Sequence, residues 1–244
     1  MNNEKENSMN EQENSTDLKP VRLTPLLTGE RNVVYNLDCM DYLPQYEDNH
    51  FELAIVDPPY GIGESNKDKG RNGYGVYTKK EAYKSKEWDN EKPSDEYFLE
   101  LFRVSKNQII WGGNHLVGKT TSCMIVWDKD NGTNDFADCE LAWTSFRTAV
   151  RKFKFRWNGM LQENMKNKEH RIHPTQKPVK LYEWLLKNYA NEGDKILDTH
   201  VGSGSSRIAC YKMGFQFTGF EIDREYWLGQ EERFNNFKRQ LSLF

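Results

Sequence analysis

Asp57-Pro58-Pro59-Tyr60 places a carboxylate, two prolines and a phenol in four consecutive residues. It follows Leu53-Ala54-Ile55-Val56, a short apolar run that predicts a buried strand. Gly61 and Gly63 come next, so Asp57 falls at the carboxyl end of that strand, where open α/β sheets carry their chemistry. Consecutive prolines lock φ and offer no N–H donors, which stiffens the turn. Pro59 also holds residue 58 extended and leaves its carbonyl free to accept. A carboxylate, a carbonyl and an aromatic ring in one rigid cup suit a planar ring bearing an exocyclic amino group. The two acceptors take the NH₂ hydrogens and the phenol stacks on the face. The plain alternative is a tight turn after a buried strand.

Two further blocks carry chemistry. Asp198-Thr199-His200-Val201-Gly202-Ser203-Gly204 joins a strand, Lys195-Ile196-Leu197-Asp198, to a helix closed by Gly214. Glycines there let the backbone approach a ligand, and the helix N-terminus adds partial positive charge. Glu221 ends the next strand about 20 residues on, the spacing at which an acid grips ribose hydroxyls. Gly202-x-Gly204 also begins a dinucleotide fingerprint, but Arg207 stands where its third glycine belongs. His173-Pro174-Thr175-Gln176-Lys177-Pro178, taken alone, reads as a helix entry with proline near its first turn.

These blocks resemble the amino-methyltransferases, which move a methyl group from S-adenosylmethionine to adenine N6 or cytosine N4 in DNA. Aspartate at the first position of the catalytic motif is more usual in the adenine enzymes, and serine in the cytosine-N4 enzymes. The resemblance implies a catalytic set of Asp57, Pro58, Pro59 and Tyr60. It implies a cofactor site of Asp198, His200, Gly202, Ser203, Gly204 and Glu221, with Asp198 facing the amino acid end. Thr175, Gln176 and Lys177 are the candidates beside the methionine end. The catalytic block precedes the cofactor block, as in the permuted, beta-type group. The strand that contacts the cofactor's adenine then comes first, which assigns Asp38 and Cys39 to the adenine edge. A helix N-cap is an equally natural role for Asp38. The fold implied is one doubly wound, mostly parallel, seven-stranded α/β sheet, a Rossmann-like methyltransferase fold with permuted motif order. His200-Val201 departs from the aromatic residue the family usually carries before the first glycine.

The leading expectation is an adenine-N6 DNA methyltransferase acting on a flipped base, because a paired amino nitrogen cannot reach a sulfonium inside the duplex. Cytosine N4 is the same-fold alternative. A non-catalytic adenosylmethionine-binding subunit of a nucleic-acid complex is a second, opposed by the intact Asp57-Pro58-Pro59-Tyr60. A nicotinamide oxidoreductase needs the missing third glycine and gives residues 57–60 no role.

The elements that position these groups follow from periodicity. Strands are predicted at 32–37, 51–56, 108–111, 195–198 and 217–221, with an antiparallel pair, 123–127 and 140–146, around Asn131-Gly132. Pro93-Ser94-Asp95 opens a helix with Tyr97, Phe98, Leu101 and Phe102 on its apolar face. Pro178 opens another, with Leu181, Trp184, Leu185 and Tyr189 inward, ended by Gly193-Asp194. A last helix turns Tyr226, Phe234, Phe237 and Leu241 inward. Residues 152–157 alternate strictly, so a strand there puts Phe153, Phe155 and Trp157 on one face and three cations on the other.

At 244 residues with 36% apolar and 29% charged side chains, one α/β domain over 25–244 is expected after a disordered tail, 1–24. Residues 1–20 hold five acids against two lysines, which equals the net charge of −3 for the chain. Residues 61–92 are expected to form a mobile loop, and residues 147–172 a short DNA-contacting insertion. Ten cations face two acids between 147 and 180, and seven face three between 64 and 86, a surface suited to phosphates. An edge strand guarded by lysines is the alternative for 152–157. Cys39, Cys123, Cys139 and Cys210 lack metal or disulfide spacing and read as reduced, buried thiols. No metal is expected, nor a membrane span or secretion signal, so the expected location is cytoplasmic. So small a recognition region also predicts a homodimer.

Overall fold

The parallel strands predicted around Asp57 and Asp198 do lie side by side. In this computed structural model, which describes residues 31–61, 91–132, 137–158 and 161–241, ten strands and five helices appear. The expected tail lies outside the described residues, as does most of the expected loop at 61–92. The strands are β1 (Asn32–Tyr35), β2 (Phe51–Val56), β3 (Ser105–Trp111), β4 (Ile125–Asp128), β5 (Cys139–Thr144), β6 (Arg151–Lys154), β7 (Trp157–Asn158), β8 (Leu161–Gln162), β9 (Lys195–Asp198) and β10 (Gln216–Phe220). The helices are α1 (Asp95–Val104), α2 (Gly113–Leu116), α3 (Val179–Tyr189), α4 (Ser205–Met213) and α5 (Arg224–Leu241).

One sheet runs β1-β10-β9-β2-β3-β5-β4-β6. The first five strands are mutually parallel, β5 is antiparallel to β3 and β4, and β6 is parallel to β4. The sheet thus has eight strands where seven were predicted, because the alternating segment pairs with β4. Its partner residues run Ile125 to Arg151 through Asp128 to Lys154. That strand is also shorter than predicted. It leaves the sheet after Lys154, and residues 157–162 form a separate hairpin. The Trp157 side chain turns inward and its indole N–H donates to the Gln176 carbonyl at 2.9 Å.

Each strand of the sheet's centre serves two cores. In β2, Leu53 and Ile55 pack with Ile109, Trp111, Leu181, Leu185 and Ile208 on one side. Ala54 and Val56 pack with Tyr97, Leu101, Ile110 and Leu197 on the other. That alternation explains why the segment reads as a continuous apolar run, since both faces are covered. α1 begins at Ser94, whose hydroxyl accepts from the Tyr97 amide at 3.2 Å, with Asp95 and Glu96 in the first turn.

Three sequence expectations need correction. The helix after Pro178 ends at Tyr189, before Gly193, because Asn191 and Asp194 close a separate turn through the Asp194 carboxylate. Leu241 is exposed, whereas Tyr226 and Phe234 are buried. Cys139 is exposed at the start of β5, while Cys39, Cys123 and Cys210 are buried.

The tightest packing lies just past β3. A Cβ added at Gly113 would sit 2.3 Å from the Trp143 Cβ and 2.7 Å from its backbone nitrogen. A rigid strand cannot yield to that contact. Gly113→Ala is expected to destabilise the protein by about 1–3 kcal/mol, read as a lower urea midpoint with unchanged slope.

Candidate active site

The carboxyl ends of four adjacent parallel strands, β1, β10, β9 and β2, each deliver an acid: Asp38, Glu221, Asp198 and Asp57. The chain runs β9-α4-β10 toward one edge and β2-α1-β3 toward the other. The order therefore reverses between β9 and β2. Asp198 and Asp57 stand on the two strands that flank this crevice, where open α/β sheets bind ligands.

Asp57 is held on both sides. Tyr60 donates its hydroxyl to Asp57 Oδ1 at 2.7 Å. The Lys177 ammonium donates to Oδ2. Lys177 is 4% exposed and makes a second ion pair, 3.0 Å, with Glu140 Oε2 on β5. Lys129 pairs with the other oxygen of Glu140. Burial works against the Lys177 charge, yet the Asp57 and Glu140 carboxylates hold its pKa above the ordinary lysine value. Burial likewise opposes charge on Glu140, and the Lys177 and Lys129 ammoniums override it, bringing its pKa down to about 2. The Tyr60 ring lies nearly parallel to His115, 5.9 Å between centroids. Gly112, with φ of 65°, also lies against this ring, and a Cβ there would come within 2.1 Å of it. Glycine is thus required there for both backbone and space. Burial, then the Asp57 charge, pushes the Tyr60 phenol well up, so it stays a donor.

The other half is built on the turn after β9. Asp198 Oδ1 accepts from the His200 amide at 3.0 Å, and Oδ2 accepts from the Ser206 hydroxyl at 2.6 Å. Burial is the largest influence on Asp198 and raises its pKa to about 7, against those two hydrogen bonds. Gly202 turns the chain with φ of 51°, and its N–H donates to Glu221 Oε2 at 2.8 Å. Glu221 Oε1 accepts from the Asp223 amide at 2.9 Å. The Thr199 hydroxyl bonds both Tyr97 Oη, 2.7 Å, and His200 Nδ1, 2.9 Å. This ties α1 to the β9 turn across the crevice. Burial lowers the His200 pKa to about 4, with the Asp38 charge working the other way.

The predicted residues fall into place unevenly. Asp38 caps the short turn Cys39–Asp41, accepting from the Met40 amide at 2.9 Å, and Cys39 is buried with its thiol pushed up to about 12 by burial and the Asp38 charge. Pro58 is buried, and Pro59 is partly exposed. Ser203 and Gly204 lie buried at the entry to α4, and the Ser203 carbonyl accepts from Arg233 at 2.7 Å. Of the three residues assigned beside the methionine end, Lys177 enters the site and bonds Asp57. The Gln176 side chain is engaged locally, with the Ile172 amide and the His170 carbonyl. Thr175 is exposed and bonds His173 Nδ1 at 3.1 Å. From that loop it is His173 that lies against the glycine turn, 3.6 Å from where a Gly202 Cβ would be, with Tyr226 edge-on behind it. Glu140 and Lys129 had no motif to announce them, while Thr199 lay unassigned within the Asp198 block and Tyr97 was expected only as part of an apolar helix face. No group of His, Cys, Asp and Glu suited to a metal occurs among the described residues.

Comparison with known proteins fits this arrangement. A family model for N6/N4 methyltransferases, described as DNA methylase, matches residues 126–230. The Type II methyltransferase M.HpaI of Haemophilus parainfluenzae is 28% identical over 226 residues, covering 80% of this chain and 71% of that protein. The Type II methyltransferase M1.MboII of Moraxella bovis is 24% identical over 244 residues, covering 81% and 94%. The solved PvuII DNA methyltransferase, which is cytosine-N4-specific, superposes with a TM-score of 0.53 at 14% identity, over 83% of this chain and 86% of that one. That likeness concerns the fold.

Asp198 makes the stability of the ligand-free protein pH-dependent. Its folded pKa is raised, so its contribution is full below the unfolded value near 3.8 and is lost as pH rises through about 7. His200 acts oppositely, losing stability as pH falls from about 6.5 toward 4. Asp198→Asn removes only the first effect. Urea unfolding at pH 5 and pH 8 should show a smaller loss of stability between the two in the variant than in the wild type.

Proposed function

We propose that this chain, a member of the N6/N4 DNA methylase family, transfers a methyl group from S-adenosylmethionine to the exocyclic N6 of adenine in DNA. The observation that carries this reading is Asp57. Its carboxylate stands at a strand end beside an aromatic ring, one strand away from the acid-lined turn on β9.

The donor fits the acids present. S-adenosylmethionine presents an ammonium, a ribose diol and an exocyclic amine, all hydrogen-bond donors. Asp198, Glu221 and Asp38 offer three carboxylates on adjacent strands. The cofactor supplies a methyl carbon on a sulfonium leaving group, so this chain has to orient rather than activate. Asp57 and the Pro58 carbonyl accept the two hydrogens of the base's amino group, and Tyr60 covers the ring. Holding the nitrogen lone pair in line provides most of the rate. The target must leave the helical stack to reach the crevice.

For the DNA, the hairpin region supports a phosphate surface, with Arg147, Lys166 and Lys168 all exposed there. Lys152, Lys154 and Arg156 contribute less, because they pair with Asp128 at the end of β4 and Asp130 just beyond it. The insertion is short, and a second copy of the chain would widen the recognition surface. We infer a homodimer on that ground, and residues 61–92 as its companion DNA-contacting segment. The Type II relatives support a restriction–modification setting. Cytosine N4 is the second reading, favoured by the cytosine-N4-specific enzyme that shares the fold and by the same amino-beside-ring-nitrogen geometry in that base.

Digestion of treated DNA to nucleosides and mass spectrometry should yield N6-methyladenine. N4-methylcytosine would overturn the adenine assignment, and no methylated nucleoside at all would favour a non-catalytic binding subunit. Asp57→Ala is expected to lower turnover by about 10²–10³ while cofactor binding, measured by calorimetry, stays intact.

Tyr60 tests the aromatic contact separately. Its hydroxyl bonds a carboxylate, an interaction of roughly 1.5–3 kcal/mol. Tyr60→Phe should therefore cost about tenfold in turnover, and Tyr60→Ala substantially more, since it also removes base stacking. Equal losses in the two variants would argue against stacking.

A further inference from the structure

The charges around Asp57, of which Lys177 is buried and the others are partly exposed, do more than the reading above requires. Lys177 lies between two carboxylates on different elements, Asp57 after β2 and Glu140 on β5. Lys129, beyond β4, pairs with the far oxygen of Glu140. Two tryptophans wall this row. The Lys177 ammonium sits 5.3 Å from the Trp111 ring and that of Lys129 5.1 Å from Trp127, and the two rings meet edge to face. Trp111 and Trp127 are fully buried, and little water reaches Lys177, whereas Lys129 and Glu140 are partly exposed at the outer end of the row. Lys177 hydrogen-bonds Asp57 Oδ2, whereas it meets Glu140 Oε2 as an ion pair at 3.0 Å without a hydrogen bond to that oxygen.

With one carboxylate, an ammonium so placed would give all it could to Asp57 and occupy the oxygens that must receive the base. We propose that Glu140, braced by Lys129, is a positioning residue that shares the Lys177 ammonium, 3.0 Å from Glu140 Oε2 and 2.5 Å from Asp57 Oδ2, and so confines it to that one Asp57 oxygen and keeps an Asp57 acceptor site for the amino group of the target base. This rests on the methyltransfer reading of Asp57. Two cations against two anions leave the row neutral, which a buried site favours. Glu140 is placed by the β4–β5 hairpin, where it stands opposite Trp127, so the hairpin sets the geometry of a loop distant in sequence.

The test is single-turnover methylation with S-adenosylmethionine and DNA by Glu140→Gln and Glu140→Ala. Both should fall by about tenfold or more, with the cofactor dissociation constant unchanged. Gln keeps the shape, so its failure to rescue identifies the charge as the need. Removing the Glu140 charge also weakens the hold on the Lys177 proton. The alkaline limb of the rate should therefore move toward neutral pH in Glu140→Gln. The other groups facing the row are Asp57, Lys129, Asp198, Tyr60 and Tyr182, and both phenols are pushed far above their ordinary range. Wild-type rate and an unmoved alkaline limb in Glu140→Gln, with Asp57→Ala inactive, would overturn the inference. An active Asp57→Ala would instead overturn the functional reading. Should circular dichroism show the Glu140 variants unfolded, Lys129→Gln decides. It lies at the outer end of the row and should lower the rate about threefold, and an unchanged rate would overturn the proposal.

Discussion

An ammonium buried among tryptophans is stable only if carboxylates meet it, and the site is organised around that requirement at Lys177. Its two partners come from β5 and from the turn after β2, and Lys177 itself from the loop before α3. One charge thus joins three segments far apart in the chain. Such a cluster is poor evidence of stability, since apolar side chains of similar volume can do as well. Its consequence is directional. It holds the Asp57 carboxylate from one side while the Tyr60 hydroxyl holds it from the other.

The second constraint is the reversal of strand order between β9 and β2. Helices leave the two strands in opposite directions, so the crevice between them is left open at their carboxyl ends. Asp198 and Asp57 flank it. They differ sharply in surroundings: Asp57 has a cation, whereas Asp198 has only hydrogen-bond donors and is raised to about 7. A ligand bringing positive charge to Asp198 supplies what that carboxylate lacks. The Thr199 hydroxyl, shared between Tyr97 and His200, links α1 to the turn after β9.

The sheet's far edge shows how the same residues can serve packing and charge. On β6 and just beyond, Phe153 and Phe155 stack on one another, 5.7 Å apart, and Phe153 meets Trp184 of α3. The alternating cations face the other way and find Asp128 and Asp130. The edge is thereby charged and its cations largely balanced, as a guarded edge strand should be.

Local chemistry was readable along the chain. The apolar run before Asp57, the prolines that stiffen its turn, the glycines after Asp198 and the Ser94 cap each act within a few residues, so spacing alone placed Asp57, Asp198 and Glu221 at strand ends. The mostly parallel sheet was what the family resemblance implied, and the antiparallel hairpin was legible from two apolar runs around Asn131-Gly132. What the sequence could not specify depends on contacts between distant segments. Glu140 looks like any polar residue on a strand until the β4–β5 register turns it toward Lys177. Lys177 follows Gln176 in one short motif, and only the fold shows that the loop sends one side chain inward to Asp57 and folds the other onto its own backbone. Periodicity gave the alternating faces of residues 152–157, but only tertiary packing decided that Trp157 leaves the sheet to meet Gln176. Burial and pairing are properties of neighbours in space, and a charge's partner is chosen by the fold.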